Sequence, residues 1–224
     1  MSTLAELRDR VEQILSDITN AIYTTALIDE CIRQCLHEYN NVSHQETEAV
    51  ITLPGDGREV ALNSLTGLLS VTDVWWPYDS TADEVWPPNR VRGWQLYWDN
   101  AQPLLIFTEY TGDQPQADDE VRVWYSLLHT IQDLDSASTT TIPGNHESEV
   151  CNGAAAKAGL SRILDLSETA GTDGYMMTLV DTWVDRLQNN WMSFLEGLRA
   201  QSSRTGLPWP RRGWKLDEWD SSYA

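Results

Sequence analysis

The chain has 224 residues, 15 lysines and arginines against 34 aspartates and glutamates, a net charge of −19 and 41% hydrophobic residues. That is enough chain for a sizeable core in one large or two small domains, and the composition is that of a folded protein rather than a disordered one. The charge repels phosphate and argues against direct nucleic-acid binding by the body of the protein. No apolar run approaches the roughly 20 residues of a membrane span, and the mixed-charge start lacks the pattern of a secretion signal. Assembly in a cytoplasm, with no membrane partner, is the expectation.

Leu4, Leu7, Val11, Ile14, Leu15 and Ile18 recur at three-and-four spacing and predict a helix over 3–18 with one buried face. A second helix is predicted over 25–39, capped by Thr24 or Thr25 and packed antiparallel to the first. The pattern then changes to period two. Residues 46–53 alternate, Pro-Gly-Asp-Gly at 54–57 makes a turn, and 58–62 resumes an extended run, which reads as a hairpin. Further strands are predicted at 69–76, 92–98, 104–110 and 120–127, separated by proline and glycine. Helical spacing returns over 146–165, where Gly153, Ala154, Ala155, Ala156, Ala158 and Gly159 allow a neighbouring helix to approach closely. A long helix over 175–199 carries Met176, Val180, Trp183, Leu187, Trp191, Phe194 and Leu198 in one stripe. Gly206, Pro208, Pro210 and Gly213 make the end of the chain extended.

The expected fold is therefore α+β. Residues 1–44 and 136–200 form an antiparallel helical bundle, 45–135 an inserted antiparallel sheet or sandwich, and 201–224 an extended C-terminal arm.

Motifs for phosphate loops, dinucleotides, zinc proteases and serine hydrolases are missing from the sequence. Cys31, Cys35 and Cys151 read as packing cysteines, since the first two continue an apolar helix face. Asn145 to Glu149 reads as a helix start, with Asn145 as cap and glutamates against the dipole, rather than as a catalytic group. Asp133 and Asp135 are weak candidates for calcium, because the spacing lacks the glycine and closing glutamate of an EF-hand loop. No cofactor, metal or catalytic residue is expected.

Tryptophan is the anomaly, with 11 in the chain. Trp75, Trp76, Trp86, Trp94, Trp98 and Trp124 fall in the β region. Adjacent Trp75 and Trp76 must point to opposite faces of a strand, so at least one leaves the local core. Trp75, Trp76, Tyr78, Trp94 and Trp98 are the candidates for contact with a neighbouring subunit or a tail component. Trp94 and Trp98, with Trp76, also raise an alternative, a carbohydrate-binding virion module. The C-terminal stretch is the second anomaly: Arg204, Trp209, Arg211, Arg212, Trp214, Lys215 and Trp219 combine the residue types that anchor protein interfaces. They read as an arm that orders on docking. A hydrolase using paired carboxylates is a third reading with no pair to name.

The opening helix, the IDECIRQCLHEY run at 28–39, the ITLPGDGREVALNSLTGLLSVTDVWWPYD stretch at 51–79, the VRVWYSLLHTIQDLDSASTTTIP stretch at 121–143 and the two closing helices together resemble the head-to-tail adaptor (connector) proteins of tailed bacteriophages. The resemblance spans nearly the whole chain; the tryptophan-rich end departs from it. It implies a homo-oligomeric ring, commonly a dodecamer, seated beneath the portal protein in the neck of the virion. It implies an arm that grips the portal, a β part facing outward or toward a tail or nozzle protein, and DNA passing through the ring without specific binding.

Overall fold

The structure, a computed structural model, describes residues 2–19, 21–81, 89–100, 102–109, 115–168 and 174–205, the side chains of 165–168, 174–177 and 202–205 excepted. Its elements are α1 (Leu4–Leu15), α2 (Thr25–Asn40), β1 (Gln45–Thr52), β2 (Glu59–Ala61), β3 (Leu68–Tyr78), β4 (Gly93–Asp99), β5 (Gln102–Glu109), β6 (Glu120–Leu127), α3 (Glu147–Glu168) and α4 (Gly174–Thr205). The chain is mixed α+β, with four helices and two small antiparallel sheets among the described residues. It divides into a helical unit, 1–43 with 129–224, and a β unit, 44–128. Among the described residues no helix is long and apolar enough to cross a membrane.

Local sequence sets the helix starts. Thr3 caps α1 in a reciprocal box with Glu6, and the Thr24 hydroxyl accepts the Leu27 N–H at the start of α2. At α3 the carbonyl of His146, not the side chain of Asn145, opens the helix by accepting the Val150 N–H. Helix α4 continues to Thr205, past the expected end at 199 and into the first residues assigned to the arm. Ala200 to Arg204 contain no breaker, and Gly206 and Pro208 are the first.

In the helical unit α3 is the common neighbour. Leu7, Val11, Ile28, Ile32, Cys35, Tyr39, Ala154, Ala155, Ala158 and Trp191 share one core with essentially no exposure. The small residues act as expected: a Cβ at Gly153 would lie 2.7 Å from the Trp191 ring and 3.0 Å from the Cys35 sulfur, and one at Gly159 would lie 2.6 Å from Val184. Helix α1 meets α2 through Arg8 and Asp29 at 2.9 Å, and both pack on α3.

Residues 129–135, expected in the β region, belong instead to the helical unit. Ile131 and Leu134 enter its core, and Thr3 and Gln132 form a parallel bridge. Three left-handed residues, Asp133, Asp135 and Ser136, turn this segment back on itself.

The β unit holds two three-stranded sheets, in the orders β1-β6-β3 and β2-β5-β4. The expected 46–62 hairpin does not form. Strand β1 pairs with β6 from Gln45↔Leu127 to Thr52↔Glu120, and β2 pairs with β5. The 54–57 turn instead passes the chain from one sheet to the other. Bonds from Leu53 to Asp119, Gly57 to Pro115 and Ala117 to Asp56 hold it against 115–119. The hairpin that does form joins β4 and β5. Both sheets contribute to one apolar cluster, Val71, Val74, Trp76, Val121 and Val123 from the first and Val60, Leu105 and Phe107 from the second.

Candidate interaction surface

Strand β6 is the central strand of its sheet and pairs with β1 without a register shift. Val121 and Val123 face the core, so Glu120, Arg122, Trp124 and Ser126 face the other way. Register with the neighbouring strands completes this outer face. Val50, Arg122 and Trp75 lie in one row, and Glu48, Trp124 and Asp73 in the next. Three register shifts in β3 keep Trp75 and Tyr78 outside while Trp76 turns inward.

Arg122 organises the cluster. Its guanidinium carbon lies 4.9 Å from the ring centre of Trp75, 5.2 Å from that of Trp124 and 5.2 Å from that of Tyr78. It donates to Glu48 at 2.8 and 2.6 Å and to the Tyr78 hydroxyl at 3.3 Å. Only 11% of the Arg122 side chain is exposed, so each cation–π contact is partly desolvated and worth about 1–2 kcal/mol. Trp75 is fixed further by its indole N–H, which donates to Asp73 at 2.8 Å, and by Arg90, which pairs with Asp73 at 3.2 Å. The Trp124 indole N–H is buried with no hydrogen-bond partner among the described residues, a cost of about 1–3 kcal/mol that stacking against Arg122 offsets.

Of the expected interface residues, the structure brings together Trp75 and Tyr78, half-buried on this face. Trp76, by contrast, is buried. It is 8% exposed and lies 6.1 Å from Phe107 in the core, because the strand that turns Trp75 outward must turn Trp76 inward. Trp94 is half-buried against the same core. Trp98 is 54% exposed near the β4–β5 turn, beside Tyr97. Trp76, Trp94 and Trp98 therefore do not form one exposed aromatic platform. Arg204 falls in the last turn of α4, its side chain outside the described residues; Trp209, Arg211, Arg212, Trp214, Lys215, Trp219 and Trp86 also lie outside them.

Sequence reasoning missed Arg122, Trp124 and Glu48. The signal was present: in Val121-Arg-Val-Trp-Tyr125 a lone arginine sits two residues from a tryptophan, on one face of any strand.

A second set of polar groups, also missed, lies inside the helical unit. Glu147 accepts from the Ser2 backbone at 2.9 Å, the Ser2 hydroxyl at 2.7 Å and Arg10 at 2.9 Å. Burial pushes the Glu147 carboxyl up, but the bonds from Ser2 and Arg10 together outweigh it and hold the group below the ordinary carboxylate range. Glu38 accepts from the Trp191 indole and from Lys157, both at 2.7 Å. The three cysteines are buried. Burial pushes the Cys31 thiol up to about 11, the Cys151 thiol up to about 12, and Cys35 upward as well. Protonated thiols in apolar surroundings pack rather than react. Asp135 is occupied by Arg33 at 2.9 Å, and the described residues hold no group of three or more metal-ligating side chains.

The outer face of β1-β6-β3 is thus a stacked aromatic and guanidinium surface edged by carboxylates. No protein-family model matches the chain, and no curated protein is significantly similar to it.

Proposed function

We propose that this chain is a structural, non-catalytic adaptor of a tailed bacteriophage. It forms a homo-oligomeric ring, a dodecamer, between portal and tail in the neck of the virion. In this reading the four helices are the bundle body, the two sheets stack as a sandwich that contacts neighbours or the tail protein, and the arm grips the portal. DNA passes the ring without specific binding.

The observation that carries the reading is the disposition of charge. Arg8, Arg10, Arg33, Arg90, Arg122 and Lys157 are each held by a carboxylate of the same chain, so these cations are neutralised in place. Acids outnumber bases 34 to 15 in the sequence, an excess that suits a wall that passing DNA slides along. Against that background the cationic and aromatic C-terminal stretch stands out as a docking element.

The test is co-expression with a tailed-phage portal protein, followed by negative-stain imaging of the purified complex. A second ring stacked beneath the portal is expected, and truncation after Thr205 should weaken that attachment while leaving a folded body. Portal rings free of this chain, with the chain in a separate peak, would overturn the reading.

A further inference from the structure

The outer face of β1-β6-β3 and the C-terminal sequence carry complementary chemistries. Between Gly197 and Leu216 the chain has Arg199, Arg204, Arg211, Arg212 and Lys215 and no acid. Within that stretch lies Leu207-Pro-Trp-Pro-Arg-Arg212. A proline disfavours helical backbone in the residue before it, so Leu207 and Trp209 are both biased by sequence toward extended or polyproline II geometry. Polyproline II segments are recognised by aromatic side chains that stack on the proline rings. Nearby carboxylates take the flanking arginines through charge-assisted bonds.

The sheet face supplies both halves of that recognition. Trp75, Tyr78 and Trp124 are half-buried and pre-positioned by Arg122, so little side-chain freedom is lost on binding. Four carboxylates, Glu46, Glu48, Asp73 and Glu120, face outward with two guanidiniums, Arg90 and Arg122, a formal balance of −2. Val50 is 43% exposed in the row of Arg122 and Trp75, leaving an approach over strand β1.

We propose that residues 207–212 of one copy dock in polyproline II form on the outer face of β1-β6-β3 of a second copy. The contact is head-to-tail, arm to face, and a contact of that type builds a ring when its rotation closes and an open filament when it does not. The inference rests on the adaptor reading only for the presence of a neighbour. The portal contact then falls to the residues that follow, Trp214, Lys215 and Trp219.

The experiment uses two full-length variants. Val50→Lys places a cation on the face and leaves the arm intact, with Thr72→Lys, also exposed, as the alternative should the first not fold. Arg211→Glu with Arg212→Glu reverses the arm and leaves the face intact. Sedimentation velocity over a range of concentrations should show the parent chain self-associating and each variant weakened about tenfold or more. A one-to-one mixture of the two variants should restore a complex of two chains, since one live arm then meets one live face. A parent chain that stays monomeric, association indifferent to either substitution, or a mixture that stays apart would overturn the proposal. If the mixture stays apart while the chain still seats beneath the portal, only this contact is wrong. If the mixture associates but the chain ignores the portal, the adaptor reading is wrong.

Discussion

In the helical unit the polar side chains that organise the structure tie together stretches far apart in the chain. Glu147 reaches back to Ser2 and Arg10, Glu38 joins Trp191 and Lys157, and Asn40 brackets His129 with a 2.7 Å bond from its N–H and a 3.1 Å bond to its carbonyl. In the β unit the organising polar group, Arg122, lies on the outer face and holds partners on its own strand and the two adjacent ones. The difference follows from geometry. Helices joined from distant parts of a chain need directional contacts to fix which stretch meets which, and buried hydrogen bonds supply them. Strands already fixed by backbone pairing leave their side chains free to build a surface.

Removing the largest internal anchor should sharpen that contrast most. Trp191 is fully buried against Gly153, and its indole donates to Glu38. Trp191→Ala opens a cavity among three helices and takes a partner from a carboxylate, which should cost about 3–5 kcal/mol. Urea unfolding followed by hydrogen exchange would measure it. Protection should fall across α2, α3 and α4 and persist in β3 and β6, because the two cores share no residue. An equal loss in β6 would break the division into two cores.

On the β side Arg122→Lys is the matching probe. Lysine keeps the charge but loses the planar fork that bonds Glu48 twice and stacks on Trp75, Tyr78 and Trp124. A loss of about 1–3 kcal/mol is expected, with exchange in β1, β3 and β6 rising and the helices unchanged. A neutral result would mean that the aromatic rings hold one another, Trp75 and Trp124 being 6.0 Å apart, without help from the cation.

These two sites were unequally legible in the sequence. Alternation and breakers placed all six strands to within a few residues, because period two and proline act locally. They could not say which strand pairs with which. A turn such as 54–57 looks the same whether it closes a hairpin or carries the chain between sheets, and only the long-range partner of β1, strand β6, decides. For the same reason Trp75 and Trp76 were readable as opposite in direction, but not as to which was buried; the bulges in β3 settle that. The close approach at Gly153 and Gly159 was legible because small residues in a helix have few other uses. Glu147 was not, since a glutamate in a first turn satisfies the dipole whether exposed or tied to Ser2 and Arg10. The boundary at 129–135 failed because Ile131 and Leu134 lie in a loop with no period to assign them to either core.

The smallest expected effect is a dependence on pH confined to the helical unit. His146 opens α3, its Nδ1 is 2.8 Å from the hydroxyl of fully buried Tyr39, and its ring meets Phe194 of α4 edge-on at 5.2 Å. Burial holds the His146 imidazole below its ordinary value of 6.5, so the folded chain favours the neutral ring. A positive charge there would meet the positive end of α3 and oblige the Tyr39 hydroxyl to turn from donor to acceptor. Around the ring the facing ionisable groups are Tyr39 and, beyond it, His129 at 5.1 Å from Tyr39. The contribution is complete above pH 6.5 and fades as pH falls through that value toward the lower value of the folded state. His146→Asn keeps an acceptor near the Nδ1 position without a titrating group. Chemical denaturation at pH 5, 6 and 7 should therefore show a shallower slope of stability with pH in the variant than in the parent. The β unit should follow the same slope in both proteins, and equal slopes throughout would place the acid sensitivity of the helical unit elsewhere.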